Sequence, residues 1–118
     1  MKRSRSISLL TCLLVVPGMV HNHLVKSDPA AGARLASSPS QIKLWFAERP
    51  EIPLTSITLI RDDSVRVGTI KALATSDTLV VVAPISSQLV PGTYQVNWRT
   101  ASGDGHAIRG TFGFSIAP

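Results

Sequence analysis

Three stretches of strict alternation govern what this chain can fold into. Ile42, Leu44 and Phe46 alternate with Gln41, Lys43 and Trp45. Tyr94, Val96 and Trp98 alternate with Thr93, Gln95, Asn97 and Arg99, and Phe112, Phe114 and Ile116 with Thr111, Gly113 and Ser115. A period of two sends one set of side chains to a core and the other to water, so each stretch reads as a half-buried β-strand. Shorter strand-like runs lie near Leu24–Ser27, Thr55–Arg61, Val65–Leu73 and Thr78–Ala83. Turn chemistry divides them: Asp28-Pro29, Ser37-Ser38-Pro39, Arg61-Asp62-Asp63-Ser64, Ser76-Asp77 and Pro91-Gly92. About seven short strands at this spacing, with no helical period, predict an all-β sandwich or small barrel. Ala30–Ser40 reads as a surface connection. The matched parity of Tyr94, Trp98, Phe112 and Phe114 assigns them to the core rather than to a stacking platform. Trp45 has the opposite parity, which leaves it either exposed or covering a site.

The first residues belong to something other than this fold. Lys2, Arg3 and Arg5 precede an apolar run from Ile7 to Val16, and Pro17-Gly18 follows. Basic, apolar and helix-breaking segments in that order describe a secretory signal peptide, assigned to residues 1–22. The run is shorter than the roughly 20 apolar residues that span a bilayer. Residues Leu9-Leu10-Thr11 before Cys12 fit a lipoprotein signal poorly. The remaining stretch, 23–118, is one small domain. The whole chain carries 12 basic and 7 acidic residues, and without Lys2, Arg3 and Arg5 the balance falls to a net of +2. The high pI is therefore largely a property of the leader. With no basic stripe interleaved with aromatics, a nucleic-acid partner is not expected. Cys12, Met1 and Met19 leave with the leader, so the domain has neither thiol nor thioether.

The three histidines carry the chemistry. His21 and His23 sit where the leader is cut, and His106 lies in Asp104-Gly105-His106. A cut between Asn22 and His23 makes His23 the first residue. Its amine, with a pKa near 8, and its ring can then chelate one metal ion. Asp104 and His106, two apart, project to the same side when extended, and Gly103 and Gly105 permit a tight turn. Nitrogen and oxygen donors suit Cu(II), whereas Cu(I) prefers the sulfur that the domain lacks. Taken alone, Asp-Gly-His also fits a polar turn with an exposed histidine. Arg99 could orient Asp104 or Glu48, or be a solvated strand-end charge.

These blocks together resemble the CopC family of copper-resistance proteins. The carrying residues are Gly92-Thr93-Tyr94-Gln95-Val96-Asn97-Trp98-Arg99, Ser102-Gly103-Asp104-Gly105-His106 and Gly110-Thr111-Phe112-Gly113-Phe114. His23-Leu24-Val25-Lys26-Ser27-Asp28-Pro29 looks like the start of a mature CopC domain, and Ile42 to Glu48 like its next strand. The resemblance implies an immunoglobulin-like or cupredoxin-like Greek-key β-sandwich in the periplasm. It implies Cu(II) held by His23, Asp104 and His106, with Glu48 as an outer ligand or supporting partner. The methionine-rich Cu(I) loop of some members is missing, so the chain resembles the cupric-only type. It implies capture of copper for resistance, homeostasis or delivery, with an inner-membrane copper importer or another copper protein as recipient.

One departure bears on the site. Family members usually carry Ala-His-Ala before the first histidine, where this chain has Val20-His21-Asn22. A cut after Val20 would instead begin the chain His21-Asn22-His23, a different and more exposed metal site. Two other functions remain open at this point. A terminal-His copper site also serves polysaccharide monooxygenases, although an ionised Asp near the metal and the lack of a flat aromatic surface count against an enzyme. A metal-free immunoglobulin-like interaction module is the third reading. Neither a Ser-His-Asp set nor a phosphate-cradling glycine loop is present.

Overall fold

A computed structural model of the chain describes residues 21–62 and 64–118. The leader assigned to residues 1–22 lies outside the description as far as position 20, Cys12 included, as does Asp63. Among the described residues nine strands form two sheets. The four-stranded sheet contains β1 (Leu24–Asp28), β3 (Gln41–Phe46), β7 (Val80–Pro84) and β6 (Leu73–Ala74), in that order. The five-stranded sheet runs β2 (Ala33–Leu35), β9 (Ala107–Ile116), β8 (Gly92–Ala101), β4 (Ser56–Arg61) and β5 (Arg66–Ile70). The architecture is the expected Greek-key sandwich. All pairings are antiparallel except that of β2 with β9.

Alternation becomes packing where the two inner faces meet. Ile42, Leu44 and Phe46 face Ile57, Leu59, Val96, Trp98, Phe112 and Phe114 across one hydrophobic core. Phe46 meets Trp98 edge-on, ring centroids 5.4 Å apart, and this contact joins the sheets. Tyr94 stacks on Phe114, its register partner on β9, and its hydroxyl donates to the Val90 carbonyl four residues upstream. Gly110 makes room for the indole beside it. A Cβ there would lie 2.6 Å from Trp98 Cζ2, closer than packing allows.

The structure differs from the sequence reading in three places and fills in a fourth. The connection Ala30–Ser40 contains β2, whose Ala33 and Leu35 pack on the core. The run Val65–Leu73 is two strands, because the chain crosses between sheets around buried Ala72. Strand β9 begins at Ala107 rather than Thr111, paired with β8 up to the turn. For Trp45, left open between exposure and covering a site, the surroundings are now defined. It is half-buried on the outer face of the four-stranded sheet, with Lys26 Nζ 4.4 Å and Lys43 Nζ 4.9 Å from its ring centroid.

Candidate metal centre

The β8–β9 hairpin presents Asp104 and His106 at its tip. Gly105 N–H donates to the Ser102 carbonyl at 2.9 Å, closing the turn, and Gly105 takes φ +82°, a conformation that favours glycine. Within this turn Asp104 accepts three hydrogen bonds. Ser102 Oγ donates to Oδ1 at 2.8 Å, the His106 backbone N–H donates to the same oxygen at 3.0 Å, and His106 Nδ1 lies 3.0 Å from Oδ2. The ring's hydrogen bond is the main cause, followed by the backbone N–H and the serine hydroxyl, of a carboxyl held well below the usual carboxylate range. Asp104 is therefore an anion at any physiological pH. A neutral His106 that donates from Nδ1 keeps its lone pair on Nε2, in a side chain 75% exposed. A carboxylate that fixes the tautomer of a histidine is the usual support for a metal-binding ring.

The amino-terminal histidines occupy the adjoining corner. His23 carbonyl accepts from Ala47 N–H at 3.0 Å, extending the pairing of β1 with β3. Asn22 is almost fully buried, and its Oδ1 accepts from Glu48 N–H at 2.8 Å. His21 and His23 are exposed, with His23 Nδ1 3.2 Å from the His21 carbonyl oxygen. The loop after β3 then continues to the hairpin. Glu51 N–H donates to the Ala101 carbonyl at 2.8 Å. Thr55 Oγ1 donates to the Glu51 carbonyl at 2.7 Å, so the buried Thr100 hydroxyl, 2.7 Å away, donates to Thr55. One loop thus touches the chain's amino-terminal segment at one end and the base of the β8–β9 turn at the other.

The candidate ligands fall into two groups at this end of the sandwich. Asp104 and His106 are in contact, while His23 and Glu48 gather at the β1–β3 corner. Among the described residues no three His, Cys, Asp or Glu side chains converge into a preformed ion-binding cluster. Arg99 orients neither Asp104 nor Glu48, for it stands opposite Arg109 in the register of β8 and β9. Three contributors escaped the sequence reading. Ser102 had a detectable signal, a hydroxyl two residues before the Asp. Glu51 brings a carboxylate oxygen within 3.9 Å of the Cβ position of Gly103, which follows only from the fold of its loop. Asn22 gave no signal, because it stood in a segment assigned to the leader.

Comparison with known proteins bears on the whole domain. The family model described as the CopC domain matches residues 24–117. Protein YobA of Escherichia coli (strain K12) is 32% identical over 113 residues, covering 94% of this chain and 91% of YobA. The crystal structure of CopC from Methylosinus trichosporium OB3b matches with a TM-score of 0.77 at 29% identity, over 83% of this chain and 95% of that one. PcoC, a methionine-rich copper resistance protein from Escherichia coli, matches at a TM-score of 0.69 and 28% identity, over 81% of this chain and 98% of its own. Fold, hairpin and matched span agree: the chain belongs to the CopC family.

Proposed function

We propose that this protein is exported to the periplasm and captures Cu(II) through an amino-terminal histidine together with Asp104 and His106. Glu48 stands at the margin of that site. The proteins of the family are copper-binding and resistance proteins rather than enzymes, and the role here is resistance, homeostasis or delivery of copper to an acceptor such as an inner-membrane importer. The observation that carries the reading is the exposed Asp104–His106 pair, in which a permanent carboxylate holds the ring in one tautomer beside the corner where the histidines begin the domain. Copper is the cargo of such a site, and its imidazole and carboxylate donors suit the cupric ion.

The packing of Asn22 bears on which histidine comes first. A cut before His23 supplies its amine and ring; it takes away the acceptor of Glu48 N–H and, with it, Asn22 Nδ2, a buried donor without a hydrogen-bond partner among the described residues. A cut after Val20 keeps that bond and makes His21 the first residue, with His23 close behind. Either start puts a histidine first, so the site is built from His21 or His23 plus Asp104 and His106. Intact mass of the secreted protein distinguishes the two.

Calorimetry with Cu(II) on that processed protein is expected to give one ion per chain. His106→Ala, or acetylation of the terminal amine, should each weaken binding by more than the ~10–100-fold typical of losing a supporting partner. Unchanged affinity in both would sink the proposed ligand set.

A further inference from the structure

The outward face of the five-stranded sheet carries charge of one kind. Its strands contribute Arg34, Arg66, Arg99 and Arg109 to that face and hold no Asp or Glu. Two of these cations are set directly against each other: Arg99 and Arg109 are register partners across β8 and β9, both exposed, and neither has a carboxylate partner among the described residues. Like charges facing across a ladder are destabilising. Beside them lies a shallow trough with Ser56, Thr58, Asn97 and Thr111 in its lining, floored at Gly110, where the missing side chain lets the backbone lie flat on Trp98.

We infer that this trough is a docking surface for an acidic segment of a partner protein, its carboxylates taken by the paired guanidiniums of Arg99 and Arg109. Guanidinium presents a planar fork that matches a carboxylate with two parallel N–H···O bonds. The neighbouring hydroxyls and amide supply donors and acceptors for the partner's backbone. A lipid surface fits less well, because none of the large exposed apolar residues (Val25, Leu54, Val65, Val67, Leu73, Leu79, Val90) lines the trough. Single-stranded nucleic acid fits less well too, for want of an exposed aromatic on which a base could stack. The surface requires no metal, and it lies on the strands that lead into the Asp104–His106 turn.

The test uses metal-free, isotope-labelled, processed protein titrated with a synthetic peptide of alternating Glu and Gly, followed by amide chemical shifts. The expected shifts cluster on Ser56, Thr58, Asn97, Arg99, Arg109 and Thr111, and they shrink as salt is raised. The double variant R99E/R109E should weaken binding by roughly tenfold or more. R99Q/R109Q should weaken it in the same direction and guards against a folding artefact of charge reversal. K26E/K43E, on the other sheet, should bind as the parent does. Shifts centred on Lys26, Lys43 and Trp45 would overturn the assignment, as would unchanged binding by both arginine variants. So would arginine-dependent sedimentation with phosphatidylglycerol vesicles at ionic strengths where the peptide does not bind.

Discussion

Each sheet of this sandwich owns one tryptophan and treats it in the opposite way. Trp98, on the five-stranded sheet, is turned inward, packed edge-on against Phe46 and covered by the bare backbone of Gly110. Trp45, on the four-stranded sheet, is turned outward between two lysines. The surrounding charges differ in the same sense. Lys26 and Lys43 have the indole, and Asp28 stands opposite Lys43 in register. Arg99 and Arg109 have only each other. One outer face gives its two lysines an indole to lie against, and the other leaves two arginines for something outside the molecule. Strand alternation sets which side a residue faces, while the neighbours across the ladder decide whether that face is closed or available.

The largest break in this contrast comes from the core. Trp98→Ala should cost about 3–5 kcal/mol, the usual range for removing a buried aromatic. Trp45→Ala should cost distinctly less in the same urea titration, and equal costs would erase the distinction. Next in size, Gly110→Ala should destabilise by roughly 1–3 kcal/mol through overpacking against the indole. Combined with Trp98→Leu its effect should shrink, because the two changes share one contact.

The outer faces separate at a smaller scale. Lys43→Gln should lose about 0.5–1 kcal/mol with the cation–π contact. Arg109→Gln should be neutral or stabilising by a few tenths of a kcal/mol, since it relieves a like-charge pair. A loss at Arg109 as large as that at Lys43 would mean that the arginine is already satisfied within the sheet. The smallest effect is set by pH. Asp104 lies in the turn that joins the strands of Arg99 and Arg109, and its pKa is lowered on folding. Its stabilising contribution is therefore complete above the ordinary carboxylate value of 3.8 and fades as pH falls from there through the lowered value. Melting temperatures of the parent and Asp104→Asn should differ at neutral pH and converge on acidification below that value.

Much of this was legible in the sequence. The alternating runs placed Ile42, Tyr94, Phe112 and their companions in the core, because a period of two admits only one buried face. Strand β2 escaped notice because three residues carry too little pattern, and its parallel pairing with β9 comes from the far end of the chain. The break between β5 and β6 was hidden because neither proline nor a turn-forming residue marks the crossing at Lys71-Ala72. At the site, Asp104 and His106 could be found because turn chemistry and ligand chemistry coincide within five residues. Asn22 could not, since its burial depends on where the chain's beginning meets the end of β3. Which face of Trp45 was covered, and by what, also rested on a partner strand, β1, supplying Lys26.

The loop between β3 and β4 has a consequence for how the empty and loaded forms would differ. It splices the chain around Asn22 and His23 to a hairpin most of the chain away, using backbone bonds at Ala47, Glu48 and Glu51. An ion shared between that beginning and that hairpin would add a detachable tether across the same seam. Loading would then register as slower peeling of strand β1 from the sandwich, which proteases acting on the amino-terminal end would sense before any change in the core.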